Sequence, residues 1–138
     1  MSRIMAIDYG LKRTGLAVTD PLQLIASPLT TVLTAELLDF LKDYITKEEV
    51  SLFVIGMPKR LDSTPSQTAP NVKGFIKALQ RDIPQIEVKE IDERFTSVMA
   101  MQAMIAGGMS KKNRRDKANV DKVSATIILQ SYMSSINK

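Results

Sequence analysis

The chain lacks two residue types that carry much of enzyme chemistry. Its 138 residues include neither cysteine nor histidine. Disulfides, thiolate zinc sites and cysteine nucleophiles are therefore excluded, and so are the Ser-His-Asp triad and imidazole metal sites. Any acid–base or metal chemistry in this protein has to rest on Asp, Glu, Lys, Tyr, Ser or water.

Aromatic residues and long apolar runs are also scarce. Aromatic side chains make up only 5% of the chain, so base stacking is not expected to dominate any recognition of nucleic acid. The longest apolar stretches, such as LFVIGM, are far too short to span a bilayer, and the N-terminus has no signal-peptide pattern. With 44% hydrophobic and 25% charged residues, we expect one globular domain over residues 1–138, away from membranes. The net charge of +4 permits a nucleic-acid partner without requiring one.

Apolar periodicity predicts an α/β protein in the order β-β-β-α-β-α-β-α-α. RIMAI and GLAVTD predict two strands joined by a hairpin, and IASPLTTV predicts a weaker third strand that Pro28 confines to an edge or a bend. SLFVIGM is apolar throughout and favours a strand covered on both faces, whereas IEVKEI indicates a solvated face or a sheet edge. The result is a mixed sheet, with an antiparallel three-strand meander plus parallel strands, flanked by helices.

Helical spacing of apolar residues predicts four helices, two of them between these strands and two after the last strand. The first begins at Thr34 as N-cap, the third begins at Thr96 or Ser97, and the fourth covers residues 120–133. The apolar positions of the first, second and fourth helices are Leu37, Leu38, Leu41, Tyr44 and Ile45; Val72, Phe75, Ile76 and Leu79; and Val120, Val123, Ile127 and Ile128.

Acidic residues follow the first and last strands and begin the final helix. Asp8 ends the first strand, Asp92 and Glu93 end the last strand, and Asp121 is expected in the first turn of the final helix. Open sheets bind ligands beyond the carboxyl ends of their strands, so these acids can converge at one end of the sheet. Mg²⁺ or Mn²⁺ takes oxygen ligands, and two such ions about 4 Å apart can promote in-line attack of water on a phosphodiester. The pattern favours a metal-dependent nuclease.

Each acid also has a simpler interpretation. Asp8 can be a turn former or a capping group, and Asp121 can stabilise the helix dipole with Asn119 as the cap. Asp92 or Glu93 can pair with Arg94 at the surface, where an ion pair contributes little. Only the joint placement of the acids at one end of one sheet favours the catalytic interpretation.

Cations cluster near these acids in the sequence. The segment KKNRRDK carries five cations and one acid between two helices, either as a solvated face or as a surface that holds a phosphate backbone. Lys12 and Arg13 stand in the same relation to Asp8. The residues predicted to bind nucleic acid are Lys12, Arg13, Arg94, Lys111, Lys112, Arg114, Arg115 and Lys117.

Four segments together resemble the motifs of the YqgF family, also called RuvX. They are IMAIDYGLKRTGLAV, VIGMPKRLDST, IDERFTSVMA and VDKVSATIILQSY, in the order of the family and across nearly the whole chain. The resemblance implies an RNase H-like fold related to Holliday junction resolvases. It also implies a cytoplasmic bacterial protein that matures the 5′ end of 16S rRNA from its precursor. By the same resemblance, the catalytic and metal-binding acids are Asp8, Glu93 rather than Asp92, and Asp121, and a glycine-proline motif falls on Gly56 and Pro58.

The chain departs from the family pattern at two places. Members commonly have a short Lys-containing stretch just before the last acid, and here RRDKAN displaces Lys117 from that position and brings Asn119 nearer to Asp121. Related RuvC-type resolvases tend to carry a further acid one helical turn beyond the last one, where this chain has Ser124. The first departure leaves open which cation contacts the scissile phosphate, and the second disfavours junction resolution.

Four functions stay open at this point. The first is a divalent-cation-dependent endonuclease, a monomer or weak homodimer, that matures pre-16S rRNA in the ribosomal precursor particle. The second is a Holliday junction resolvase on branched DNA, which needs a two-fold dimer. The third is a non-catalytic RNA-binding factor of ribosome biogenesis. The fourth is an ATP-binding protein, because DYGLKRTG also resembles the phosphate-binding hairpin of sugar kinases and Hsp70-like ATPases, although those proteins bind ATP between two domains.

Overall fold

Five strands form one sheet in the part of the chain that the computed structural model describes, residues 2–57, 69–92 and 117–136. The strands are β1 (Arg3–Asp8), β2 (Arg13–Thr19), β3 (Ala26–Leu33), β4 (Val50–Met57) and β5 (Glu87–Asp92). A 3₁₀ turn over Thr34–Glu36 leads into α1 (Leu37–Lys47), and α2 (Ala69–Asp82) and α3 (Lys117–Ile136) follow. The helix predicted to begin at Thr96 or Ser97 lies outside the described residues.

The strand order β3-β2-β1-β4-β5 confirms the predicted mixed sheet. β1 pairs antiparallel with β2, and β2 pairs antiparallel with β3, which completes the meander. β4 pairs parallel with both β1 and β5. From Leu52 to Gly56, β4 is buried without interruption, as the apolar run SLFVIGM predicts for a strand covered on both faces.

Pro28 lies on an edge strand, as predicted, and next to an irregularity in the pairing. Among the described strands, β3 pairs with β2 alone and so forms the edge of the sheet. The N–H that Pro28 lacks is therefore not missing from a central strand. Leu16 pairs with Thr30, whereas Ala17 pairs with Pro28, so Leu29 is the extra residue of a β-bulge. The bulge lets the ladder pass the proline while the side-chain alternation of β2 continues.

The two faces of the sheet are covered by different helices. Strand alternation in β1 sends Met5 and Ile7 into one apolar cluster and Ile4 and Ala6 into another. The first cluster contains the apolar residues of α1 and α2, and the second contains those of α3. α1 and α2 therefore cover one face, and α3 covers the other.

The start of α1 differs from the prediction. Thr34 is not a helix N-cap, because it opens the 3₁₀ turn and α1 begins at Leu37 with Glu36 in the N-cap position. Neither start has a side-chain capping hydrogen bond. The Thr34 hydroxyl is instead bonded to the hairpin that joins β1 and β2.

The last helix begins earlier than predicted and is buried around more of its circumference. Because α3 starts at Lys117, Asp121 lies in its second turn rather than its first, Lys117 is helical, and Asn119 is not an N-cap. Between residues 124 and 129 every residue but Thr126 is buried, so the predicted single apolar side understates the buried surface. No helix of the described residues is long and apolar enough to cross a bilayer.

Small residues line the contact between α3 and the sheet. Ala6, Ala17 and Ala125 are fully buried in the cluster that α3 shares with the strands. We expect Ala17→Leu to lower the free energy of unfolding by about 1–3 kcal/mol, because a larger side chain has to push α3 away from β2. Urea unfolding measures the change.

The matched control is Ala35→Leu, the same substitution at an exposed position of the 3₁₀ turn. It should alter stability by no more than about 0.5 kcal/mol. Equal stability of the Ala17→Leu variant and the parent would contradict close packing of α3 on β2.

Candidate active site

Asp8 stands at the carboxyl end of β1, on the face of the sheet that α3 covers. It is the last residue of the strand and is half-buried. Strand residues two apart share a face, so Asp8 lies on the same face as Ile4 and Ala6, which pack with α3. The predicted position of Asp8 at a strand end is confirmed. The packing of β1 further shows that Asp8 lies on the face of the sheet that α3 covers.

Glycines flank Asp8 on both neighbouring strands. Gly15 of β2 is paired with Asp8, and the β1–β4 register, in which Ile7 opposes Ile55, places Gly56 beside Asp8 when continued by one residue. Both glycines are buried. Because glycine has no side chain, neither neighbouring strand places a side chain beside Asp8 on this face. A glycine within a strand often marks close approach of a ligand or another backbone.

β5 ends at Asp92, one residue before Glu93 in the sequence. Val88 packs in the cluster with α1 and α2, and Ile91 packs in the cluster with α3. Asp92 pairs with Met57 of β4. Gly56 pairs with Ile91, which puts Ile91 in the same row as Asp8, about 10 Å away across two strand spacings. The prediction for Glu93 falls outside the described residues.

Asp121 occupies the sheet-facing stripe of α3. It precedes Ala125 by four residues and Ile128 by seven, and both of these pack against the strands. The structure describes the backbone of Asp121 and not its side chain. Asp8 and the position of Asp121 therefore belong to the same interface between α3 and the sheet.

Ser124, one turn after Asp121, carries an unusual buried hydroxyl. Its residue is 1% exposed, and its Oγ has no hydrogen-bond partner in the described part of the chain. Helical side chains lean towards the N-terminus of their helix, so this hydroxyl lies on the side of the turn that contains Asp121. A buried polar group without a partner requires an explanation, such as a bound water or ion.

The described residues by themselves do not assemble a metal site. Among them, no three acidic side chains cluster closely enough to hold a metal ion. Of the predicted trio Asp8, Glu93 and Asp121, Asp8 is the member whose side chain the structure describes.

The hairpin after Asp8 is tightly shaped. A Cβ at Gly10 would collide with the carbonyl oxygen of Arg13, so the turn requires glycine there. The Tyr9 ring packs on Phe75 of α2, with centroids 5.2 Å apart. Beyond these anchors, Leu11 and Lys12 project at the surface, and Leu11 is 63% exposed.

Arg13 belongs to β2, whereas Lys12 is exposed in the hairpin before it. It begins β2 and is half-buried, and it has the parity of Gly15, the residue paired with Asp8. Arg13 and Asp8 therefore share the α3 face of the sheet. The predicted contacts Arg94, Lys111, Lys112, Arg114 and Arg115 lie outside the described residues, and Lys117 is the first residue of α3.

Sequence reasoning missed the residues that hold the hairpin. Thr34 Oγ1 donates a hydrogen bond to the Gly10 carbonyl at 2.6 Å and lies 2.9 Å from Thr14 Oγ1. Thr14 is fully buried. The sequence offered no clear signal, because Thr14 stands before the predicted strand GLAVTD and local periodicity does not reveal which partner a buried hydroxyl has.

The comparisons with known proteins show the family and the fold of the chain. A family model described as RuvX, Holliday junction resolvase, matches residues 2–135. Two relatives are named as candidate pre-16S rRNA nucleases. The protein of Christiangramia forsetii is 55% identical to this chain, and that of Phocaeicola vulgatus is 56% identical. The alignments cover 96% of this chain and 98% of the relative in the first case, and 98% and 97% in the second.

Solved structures of Holliday junction resolvases have a similar fold. The chain matches RuvC of Thermus thermophilus in complex with a Holliday junction substrate, with a TM-score of 0.58 at 11% identity over 99% of this chain and 96% of that one. It also matches the fowlpox virus Holliday junction resolvase, with a TM-score of 0.57 at 13% identity over 96% and 99%. These likenesses show an RNase H-like fold.

Fold and family together define a nuclease, a hydrolase that acts on nucleic acid. The chain belongs to the RuvX family, since the family model covers nearly all of it and relatives share more than half of their residues with it. The resemblance stated from the four sequence motifs is thereby confirmed.

Two glycine-to-alanine substitutions should have opposite effects on stability. Gly10→Ala should lower the free energy of unfolding by about 1–3 kcal/mol, because the hairpin backbone has to shift away from the new methyl group. Gly74→Ala, in the middle of α2 with open space around its Cβ, should raise stability by up to about 1 kcal/mol through helix propensity. Urea unfolding of both variants measures the difference, and a stable Gly10→Ala variant would show that the turn is not constrained.

Proposed function

We propose that this protein is a divalent-cation-dependent endonuclease that hydrolyses RNA phosphodiester bonds and matures the 5′ end of pre-16S rRNA. The observation that carries the proposal is the setting of Asp8. A carboxylate at a strand end, flanked by Gly15 and Gly56, faces the helix whose sheet-facing stripe contains Asp121. This is an arrangement in which acids from distant parts of the chain can share one ligand.

The residues of the site suit Mg²⁺ or Mn²⁺. With no cysteine or histidine in the chain, the donors are oxygens, which these hard cations prefer. The unpartnered Ser124 hydroxyl, buried one turn from Asp121, is consistent with a polar occupant or an ordered water at this interface. Asp8, Glu93 and Asp121 would hold the cation, which when bound supplies activation of water and stabilisation of the leaving oxygen.

The family resemblance selects Glu93 rather than Asp92 as the second acid. Asp92 is the last residue of β5, and Glu93 follows it in the sequence.

The cations of the chain have a binding role in this proposal. Lys12, exposed at the hairpin, contacts a backbone phosphate, and Arg13 neutralises charge on the Asp8 side of the sheet. Arg94, Lys117 and the predicted loop residues Lys111, Lys112, Arg114 and Arg115 extend this basic surface along the strand being cut. Phosphate contacts give affinity without sequence readout, which suits recognition by shape.

RNA is favoured over branched DNA as the substrate. The relatives that share more than half of their residues with the chain carry an rRNA nuclease name, whereas the resolvase structures share less than a sixth. Ser124 stands where RuvC-type resolvases tend to have another acid. Junction resolution is the second candidate because the matching family is described by that activity. We further propose that the protein acts in the cytoplasm, as one domain, on the ribosomal precursor particle, and as a monomer or weak homodimer.

Asp8→Asn should reduce cleavage at least about 100-fold, because it removes a charge placed to stabilise the reaction. The assay incubates purified protein with a 5′ fragment of precursor 16S rRNA, with Mg²⁺, with Mn²⁺ and with chelator. A four-way DNA junction is tested alongside. The cation should also raise the unfolding temperature of the parent, and this rise should be smaller in the variant.

Asp39→Asn is the matched control, since it makes the same chemical change at an exposed position of α1. It should cleave as the parent does. A parent that binds the RNA but cleaves it with neither cation would support the non-catalytic RNA-binding alternative. Cleavage of the junction alone would support the resolvase.

Lys12→Gln should weaken RNA binding uniformly across sequences. The slope of log affinity against log salt should fall in magnitude by about 0.7–1, because one phosphate contact releases about one counterion. Fluorescence anisotropy at several salt concentrations, with chelator present, measures the slope. Lys73→Gln, at an exposed position of α2, is the control and should leave it unchanged. An unaltered slope for Lys12→Gln would remove Lys12 from the interface.

A further inference from the structure

Thr34 directs its hydroxyl and its backbone N–H at the hairpin that follows Asp8, whereas its carbonyl oxygen accepts the N–H of Leu37 in its own 3₁₀ turn. Its Oγ1 donates to the Gly10 carbonyl at 2.6 Å, and its backbone N–H donates to the Lys12 carbonyl at 2.9 Å. Because the single hydroxyl proton of Thr34 is committed to Gly10, Thr14 Oγ1 is the donor in the 2.9 Å contact between the two threonines. Thr34 therefore holds the chain on both sides of the exposed Leu11.

We propose that Thr34 is a positioning residue for nucleic-acid binding: it fixes the hairpin so that Lys12 keeps a set position relative to Asp8. This inference rests on the proposed function, in which Lys12 contacts a backbone phosphate of the RNA. The residue acts through Lys12 and touches no reacting group. It is a threonine of the β3–α1 junction, more than twenty residues from the hairpin in sequence.

The use of the hydroxyl argues for this role. A threonine at the start of a helix commonly accepts a hydrogen bond from an N–H of its own first turn. Here the 3₁₀ turn and α1 both begin without such a bond. The side chain instead stabilises a surface loop whose tip has few contacts of its own, since Leu11 and Lys12 are exposed.

A fixed hairpin matters for the proposed chemistry because the RNA phosphate bound by Lys12 and the carboxylate of Asp8 have to be aligned with each other. Asp8 ends a rigid central strand, whereas Lys12 is on a turn that would otherwise sample several conformations. Binding groups on a mobile loop lose affinity through the cost of ordering them. The bond from Thr34 to Gly10 removes part of that freedom before the RNA arrives.

The test compares RNA affinity, with chelator present, for Thr34→Val, Thr34→Ser and the parent. Thr34→Val keeps the shape and the backbone N–H but loses the hydroxyl, and it should weaken binding about three- to tenfold, the equivalent of one hydrogen bond. Thr34→Ser restores the hydroxyl and should restore affinity. Hydrogen exchange of the amides of residues 10–14 should quicken in Thr34→Val and not in Thr34→Ser.

The matched control is Thr46→Val, which removes a hydroxyl that donates to the Asp43 carbonyl at 2.6 Å on α1. It should leave RNA affinity unchanged. Because Thr34→Val also leaves the buried Thr14 hydroxyl without its acceptor, the variant Thr14→Val/Thr34→Val is included. It replaces both partners with apolar groups, a change that can be nearly neutral for folding, and it should show the same loss of affinity.

A double-mutant cycle with Lys12→Gln separates positioning from general weakening. If Thr34 acts through Lys12, Thr34→Val should cause no further loss in the Lys12→Gln background. Additive losses, or an affinity of Thr34→Val equal to that of Thr46→Val, would overturn the inference. If the parent cleaves RNA but these binding effects are absent, the inference alone fails. If the effects are present in a parent that does not cleave, the nuclease proposal alone fails, and a parent that binds no RNA overturns both.

Discussion

The packing of α3 against one face of the sheet is the constraint on which the candidate site depends. Small residues, Ala6 and Ala17 on the strands and Ala125 on the helix, are fully buried in that interface and permit a short separation. On the strand side, Asp8 lies two residues after Ala6 in β1. On the helix side, Asp121 lies about one turn before Ala125 in α3. If larger side chains separated the layers, the end of β1 and the first turns of α3 would lie further apart, whatever their order in the sequence.

The parallel register of β1, β4 and β5 sets the second dimension of the site. Asp8, Gly56 and Ile91 form a row across three strands. A shift of one residue in the register of β1 would move Asp8 to the opposite face of the sheet. Glycines on both sides of Asp8 leave the two strand positions next to it without side chains.

Periodicity predicted the strands and the helices α1 and α2, because apolar alternation and helical spacing are local signals. The order of these elements along the chain predicted which strands pair antiparallel and which pair parallel. The sequence also confined Pro28 to an edge or a bend, since proline removes a ladder donor within a central strand, and the structure has Pro28 on the edge strand β3. Two predictions about helix starts were wrong. Thr34 bonds to a hairpin rather than capping α1, and α3 begins at Lys117, so Asp121 is in its second turn. Both errors arise because capping depends on which partner is near in space, and sequence spacing does not show this.

The sequence by itself determined which chemistry is available: with no cysteine or histidine, only oxygen donors and cations can act, and the family resemblance predicts which acids they are. It also placed Asp8 at the end of a buried strand, since the apolar run stops there. The tertiary structure decided on which face of the sheet Asp8 lies and which helix covers that face. It also decided which threonine bonds to the hairpin after Asp8. These depend on register and on contacts between segments more than twenty residues apart, and such contacts form only when the layers pack.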